Sequence, residues 1–113
     1  MQAIDRNELQ ATLKSNPEVV LIEVLGEDEY RDYHLPYSVN IPLNSDFEAN
    51  VTAVVPNKEK PVVVYCKNTQ CSASEQAGKK IEELGYAEVY DYEAGKEDWK
   101  AAGFPVASKE DAH

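Results

Sequence analysis

The chain has 113 residues, which suits one domain with a single hydrophobic core. It carries 21 acidic and 11 basic residues, a formal net charge of −10, and a field of that sign repels nucleic acids and anionic membranes. No apolar run approaches the roughly 18 residues of a membrane span, and the N-terminus lacks the basic flank and apolar core of a signal peptide. We therefore expect a cytoplasmic protein that binds neither nucleic acid nor membrane.

The first half of the chain alternates predicted strands and helices. Asp5 is expected to cap the first helix, and Gly26 ends a long apolar strand. In order, the predicted elements are an edge strand over 2–4, a helix over 6–14, a buried strand over 19–25, a short helix over 27–31, a strand over 38–41 and a short helix over 46–54. Such alternation favours a parallel sheet with helices on both faces.

The second half is organised around a strand, a loop and a helix. Val62–Tyr65 is β-branched and aromatic and follows Pro61, as expected of a strand buried on both faces. Ser72 and Glu75 have the spacing of a capping box for the next helix, which Gly85 ends. A strand over 88–92 and a helix over 96–102 complete a single domain over residues 1–106, and residues 107–113 are expected to form a frayed tail.

The chain contains two cysteines, and the spacing places them in the loop after the central strand. Cys66 stands at the carboxyl end of the strand, where α/β sheets bind ligands, and beside the N-terminus of the next helix, where an anion such as a thiolate is favoured. Cys71 stands in the same loop. Two cysteines make neither a disulfide framework nor a four-ligand zinc site. We therefore expect no metal and no cofactor, and we interpret the thiols as chemical groups.

Three blocks of the sequence resemble the single-domain, rhodanese-like sulfurtransferases, in the right order and over nearly the whole chain. The first runs from Leu21 to Leu43 and is similar to "LIDVR…EEY…GHIPGAINIPL" in that family. The second, from Val62 to Ala73, is similar to "VVYCxxGxRSA", and the third, from Gly95 to Val106, is similar to "GG…W…AGYPV". The resemblance implies a three-layer α/β/α fold with a mainly parallel, five-stranded sheet flanked by helices.

The resemblance also implies a reaction and a site. Cys66 would carry sulfane sulfur as a persulfide, loaded by thiosulfate, a polysulfide or a persulfide and unloaded to a thiol or cyanide. The site loop would consist of Lys67, Asn68, Thr69, Gln70, Cys71 and Ser72, whose backbone N–H groups cradle the sulfur. These N–H groups, the helix dipole and Lys67 are each expected to lower the pKa of the Cys66 thiol.

The loop departs from the family pattern where an arginine is common. Cys71 takes the place of that arginine, Thr69 stands where glycine is common, Leu25 replaces an arginine after the second strand, and Ala94 replaces the first of two closing glycines. Loss of the loop arginine weakens the case for thiosulfate, because no bidentate cation faces its sulfonate. Cys71 is either a resolving thiol, a second thiol that hands on sulfur or senses oxidation, or a tolerated loop residue.

Two other functions remain to be weighed against sulfur transfer. Phosphatases and arsenate reductases of the same fold need an arginine six positions after the cysteine, and Ser72 stands there instead. A non-catalytic or redox-sensing interaction domain is the alternative that the missing arginine leaves open. We expect the protein to be a monomer whose partners are a small sulfur compound and a thiol acceptor, either a small molecule or a thioredoxin-like protein. His34, Asn40 and Trp99 are interpreted as structural.

Overall fold

Strands and helices alternate along the whole of residues 1–108, the part of the chain that the computed structural model describes. The strands are β1 (Gln2–Ala3), β2 (Val20–Glu23), β3 (Val39–Asn40), β4 (Val62–Tyr65) and β5 (Val89–Tyr92). The helices are α1 (Arg6–Ser15), α2 (Glu27–Asp32), α3 (Phe47–Val54), α4 (Ala73–Glu83) and α5 (Gly95–Ala101). Each lies where the sequence predicts an element of its type, with ends that differ by a few residues.

The five strands form one parallel sheet in the order β1-β5-β4-β2-β3. Strand β4 is central, and all four of its residues are buried. Val62, Val64 and Cys66 face a core under α3 and α4, whereas Val63 and Tyr65 face a second core under α1 and α5. The predicted three-layer fold with a buried central strand is therefore confirmed. The cores on the two faces of the sheet hold β4, the strand that leads into Cys66.

The two predicted helix caps have different outcomes. Asp5 and Glu8 form a complete capping box at α1, in which each side chain accepts a hydrogen bond from the other residue's backbone N–H. The capping box predicted for Ser72 and Glu75 is wrong. Ser72 lies at the N-cap of α4 with helical dihedrals (φ −90°, ψ 0°), and its side chain makes no capping bond. Its hydroxyl instead accepts a hydrogen bond from Gln76 Nε2 at 3.0 Å.

The residues that the sequence assigns to structure make structural contacts. Asn40 Nδ2 donates to the carbonyls of Glu23 and Leu25, and Trp99 is buried, with Nε1 donating to the Pro105 carbonyl at 2.7 Å. The backbone of His34 pairs with that of Ala107. Ala107 was expected to belong to a frayed tail. It is instead hydrogen-bonded to the domain through the backbone of His34. Residues 109–113 of that tail lie outside the described residues.

Candidate active site at the carboxyl end of the central strand

Cys66 is the first residue after β4, and its sulfur lies against the start of α4. The side chain is completely buried. Sγ lies 3.3 Å from the Cys71 carbonyl oxygen and 3.6 Å from Ser74 Oγ, both acceptors for the thiol proton. A proton on this sulfur therefore has two acceptors within reach, and the sulfur itself is closed off from solvent by its own loop.

The expectation that the site lowers the pKa of Cys66 is wrong for this conformation. Burial raises the pKa to about 11, and the neighbouring Cys71 side chain adds to the rise. The hydroxyl and backbone N–H of Ser74 act in the opposite direction, since both stabilise the thiolate. Desolvation outweighs them because no solvent reaches the sulfur. The N-terminus of α4 lowers the pKa of Cys66 through the Ser74 backbone N–H, as expected, but the effect of burial is larger.

Lys67 and Asn68, the first two residues of the loop, point away from the sulfur. Lys67 Nζ lies 3.6 Å from a Glu29 carboxylate oxygen, and Asn68 Nδ2 donates to Glu97 Oε1 at 2.9 Å. Lys67 thus pairs with Glu29, and it does not contribute to the change in the pKa of Cys66. The only predicted cation of the loop is directed towards α2.

The N-terminus of α5 holds the start of the loop through its backbone. Lys96 N–H donates to the Cys66 carbonyl and Glu97 N–H donates to the Lys67 carbonyl, each at 3.0 Å. Gly95 makes this approach possible. Its φ is +77°, and a Cβ there would lie 2.5 Å from the Lys67 carbonyl carbon and oxygen. No side chain other than hydrogen fits, which explains why a glycine stands at this point.

The amide cradle implied by the resemblance is only partly available in this conformation. The N–H of Gln70 donates to Asn68 Oδ1 at 3.0 Å, and the N–H of Cys71 donates to the Asn68 carbonyl at 3.1 Å. The Cys71 carbonyl, which repels an anion, faces the sulfur instead. Accommodation of a persulfide anion therefore requires residues 67–72 to rearrange.

A cleft of about 200 Å³ lies outside the buried sulfur. Loop residues 69–72 form one side of it, so that Cys71 lines the cleft while Cys66 lies beneath. Four of the six predicted loop residues thus meet at one opening, and the first two do not. The thiol that a substrate meets first in this conformation is that of Cys71, which is partly exposed.

The opposite side of the cleft is acidic, and sequence reasoning missed it. Ser74 and Glu75 from α4, Asp91 from β5 and Glu93 line it. Asp91 is 2% exposed, and its Oδ1 has no hydrogen-bond partner among the described residues. Burial raises its pKa; the Ser74 hydroxyl opposes this, and the charges of Glu93 and Glu75 add to the rise. A charged residue among the apolar residues of a buried strand was the available signal.

Within residues 1–108, no three His, Cys, Asp or Glu side chains converge closely enough to hold a metal ion. None of the helices in this range is both long and apolar enough to cross a membrane.

Comparison with known proteins places this geometry in context. A model of the rhodanese-like domain matches residues 5–102. The thiosulfate sulfurtransferase GlpE of Coxiella burnetii is 31% identical over 84 residues, which is 74% of each protein. An HTH-type transcriptional regulator of Mycobacterium tuberculosis is 31% identical over 106 residues, 92% of this chain but 44% of the regulator. A crystal structure of a Bacillus halodurans protein superposes with a TM-score of 0.85 at 24% identity, covering 95% of this chain and 77% of that one.

Proposed function

Since the chain belongs to the rhodanese-like domain family, which includes sulfurtransferases, we propose that it is a sulfurtransferase carrying sulfane sulfur on Cys66. In the loading step the Cys66 thiolate attacks the outer sulfur of a donor, whose S–S bond breaks as the new S–S bond forms. With thiosulfate the leaving group is sulfite, and with a persulfide RSSH it is the thiol RSH. In the unloading step cyanide or a thiol takes the outer sulfur and restores the Cys66 thiolate.

The position of Cys66 is the observation that carries this proposal. Its sulfur stands at the carboxyl end of the central parallel strand and faces the backbone N–H of Ser74 in the first turn of α4. Oriented N–H groups at a helix N-terminus stabilise an anion, and the terminal sulfur of a persulfide is one. A buried, non-functional cysteine needs no such donor, since a thiol packs as a small apolar group.

Cyanolysis of the purified protein tests the proposal. We expect thiocyanate after incubation with a sulfur donor, and an intact mass that rises by one sulfur atom before cyanide is added. Cys66→Ala should abolish both signals, while Cys71→Ser, the matched change in the same loop, should keep the mass increase. If no thiosulfate, polysulfide or persulfide donor adds sulfur to Cys66 in the folded protein, the proposal is wrong.

Cys71 supports a second candidate function, a redox-responsive domain. Its side chain is close enough to Cys66 to raise the pKa of that thiol, and both cysteines are free in this structure. The Cys71 thiol can attack the Cys66 persulfide, which releases hydrogen sulfide and leaves a Cys66–Cys71 disulfide. The regulator from Mycobacterium tuberculosis contains a matching segment, and in this second function such a disulfide would act as a signal to an attached or bound protein.

The rate of sulfide release shows whether Cys71 is a resolving thiol or a tolerated loop residue. If Cys71 resolves the persulfide, the loaded wild-type protein loses one sulfur and two hydrogens in mass without added thiol, and Cys71→Ser does not. Equal stability of the persulfide in both proteins would make Cys71 a tolerated loop residue. For this reaction we propose a small sulfur donor and a thiol acceptor, either a small molecule or a thioredoxin-like protein, acting on a monomer in the cytoplasm, where thiols are kept reduced.

A further inference from the structure

The cleft outside Cys66 has an unbalanced negative charge. Asp91, Glu75 and Glu93 line it, and no lysine or arginine of the described chain does. Glu75 has a partial counter-charge, since its carboxylate lies 3.1 Å from Lys79 Nζ on the exposed surface of α4. Asp91 is buried, and no lysine or arginine within residues 1–108 forms an ion pair with it. The charge is therefore least compensated at Asp91, whose partner in the sheet, Val64, lies two residues before Cys66.

Asp91 is the strongest indication of a ligand in this cleft. Its side chain is 2% exposed, lines the cleft and leaves Oδ1 without a hydrogen-bond donor among residues 1–108. A buried, unpaired carboxylate oxygen costs free energy that a donor supplied by a ligand would recover. Ser74 interacts with both groups: its Oγ lies 3.6 Å from Cys66 Sγ, and its hydroxyl opposes the rise in the pKa of Asp91. A group bound at Asp91 is thus bound next to Cys66.

The charge also indicates what is disfavoured. Thiosulfate is a dianion, and the cation that would hold its sulfonate is absent because Cys71 takes the arginine position. Lys67 is directed at Glu29. A metal ion is a poor alternative occupant, because the acids of the described chain do not converge as a metal-ligand set. An ammonium group fits better, since it needs one or two carboxylates and no fixed coordination geometry.

We propose that this cleft selects sulfur donors that carry a cationic amine beside the persulfide, with Asp91 binding the ammonium group. The proposal rests on the sulfurtransferase function proposed above. Sulfur transfer then follows RSSH + Cys66–SH → RSH + Cys66–SSH, in which the donor S–S bond breaks, the new S–S bond forms, and the thiol proton passes to the leaving RS⁻. The amine comes either from a small aminothiol or from a lysine beside a cysteine persulfide in a protein.

Two donors with the same carbon skeleton test this directly. Cysteamine persulfide carries an ammonium group where 2-mercaptoethanol persulfide carries a hydroxyl. Because the ammonium also makes cysteamine the better leaving thiol, the change in the ratio of loading rates between the wild-type protein and Asp91→Asn isolates the contact with Asp91. Loading is followed by intact mass at donor concentrations below saturation. A charge-assisted hydrogen bond in a partly open cleft is worth about tenfold in rate, and we expect the wild-type protein to prefer cysteamine persulfide by about that factor. A ratio near one would overturn the proposal.

Substitution of the acid should change the two kinds of donor in opposite directions. Asp91→Asn keeps the shape and removes the charge, so the preference for cysteamine persulfide should fall to about twofold or less while loading by thiosulfate rises. Glu93 is exposed. Glu93→Gln should therefore lower the cysteamine preference and raise loading by thiosulfate, as Asp91→Asn does, but by smaller factors. Damage to the fold would lower both rates together, so parallel losses in the two variants would refute the assignment.

A matched control and a peptide donor complete the experiment. Glu83→Gln removes an exposed acid from α4 outside the cleft and should leave the cysteamine preference at the wild-type value. If the preference falls as much in Glu83→Gln as in Asp91→Asn, the effect comes from net charge, and a specific site at Asp91 is refuted. A peptide persulfide flanked by lysine, compared with one flanked by glutamine, identifies a protein donor if its ratio exceeds that of the small pair. Absence of loading by every donor would instead refute the sulfurtransferase function itself.

Discussion

The protonation state of Cys66 gives a prediction that follows directly from its burial. The pKa of the thiol rises from 9.0 to about 11, a change of two units. At pH 7 the folded protein therefore holds about 100-fold less Cys66 thiolate than the unfolded chain, since each unit is tenfold. Because thiolate is the reacting form, alkylation of Cys66 should be slower in the folded protein by at least that factor.

Iodoacetamide alkylation followed by peptide mass spectrometry measures this, because it reports Cys66 and Cys71 separately. The rate at Cys66 should rise about tenfold per pH unit from pH 6 to pH 10 without levelling off. The same protein in concentrated urea is the control, and its Cys66 rate should level off near pH 9. A folded-state profile that levels off at or below pH 9 would refute the reasoning that desolvation controls this thiol.

The same shift predicts how stability changes at alkaline pH. Below pH 9 the thiol keeps its proton in both the folded and the unfolded protein, so the raised pKa contributes fully to stability. Between pH 9 and pH 11 only the unfolded chain loses the proton, and the free energy of unfolding falls by about 3 kcal/mol. Cys66→Ala should not show this fall, and the difference between the two urea titrations isolates it from tyrosine and lysine ionisation.

Two further substitutions test the contacts that hold the loop. Gly95→Ala should destabilise the fold by more than the roughly 1–2 kcal/mol that a positive φ costs an L-residue, because its Cβ would also meet the Lys67 backbone. Gly103 has φ +82° and open space around it, so Gly103→Ala should show the cost of the positive φ alone. Lys96→Met should cost about 3–5 kcal/mol at pH 7, since it leaves the buried Glu23 carboxylate unpaired.

Matched controls make these measurements specific. Gly26→Ala introduces a Cβ with no atom within 4 Å and no positive φ, so urea denaturation should show only the loss of up to about 1 kcal/mol that alanine costs at the N-cap of α2. Lys14→Met removes an exposed lysine from α1 and should likewise be nearly neutral. A Gly95→Ala protein as stable as Gly103→Ala would contradict the close approach of α5 to the loop, and a neutral Lys96→Met would contradict the buried pair.

The order of elements could be predicted from the sequence because local signals agree with burial. Val62–Tyr65 has no charged residue, and the structure buries it on both faces. The failures arise where a contact joins distant segments. Lys96 looks like a solvated helix residue, yet it is completely buried, with Nζ 3.2 Å from Glu23 Oε2 and donating to the Glu29 and Tyr33 carbonyls. Nothing in the sequence near Lys96 indicates these acceptors.

The candidate site was predictable in position but not in electrostatics. The strand, the cysteine and the following helix are consecutive, so Cys66 and loop residues 69–72 could be placed together. The pKa of Cys66 could not be predicted, because it depends on whether the loop is closed over the sulfur. Asp91 belongs to the neighbouring strand β5, opposite Val64 in the register, and only the parallel pairing brings it to the site.

The burial of Cys66 and the acidity of the cleft have one consequence when they are considered together. The closed loop keeps the sulfur protonated and places the Cys71 carbonyl against it, so the loop must open before any donor reacts. A cation entering at Asp91 would offset the negative charge that Glu75 and Glu93 add there, and would favour a thiolate a short distance away. Binding of the donor would then lower the pKa of Cys66 as it arrives. A buried thiol can therefore remain inert to anionic oxidants and still react with the donors that the cleft admits.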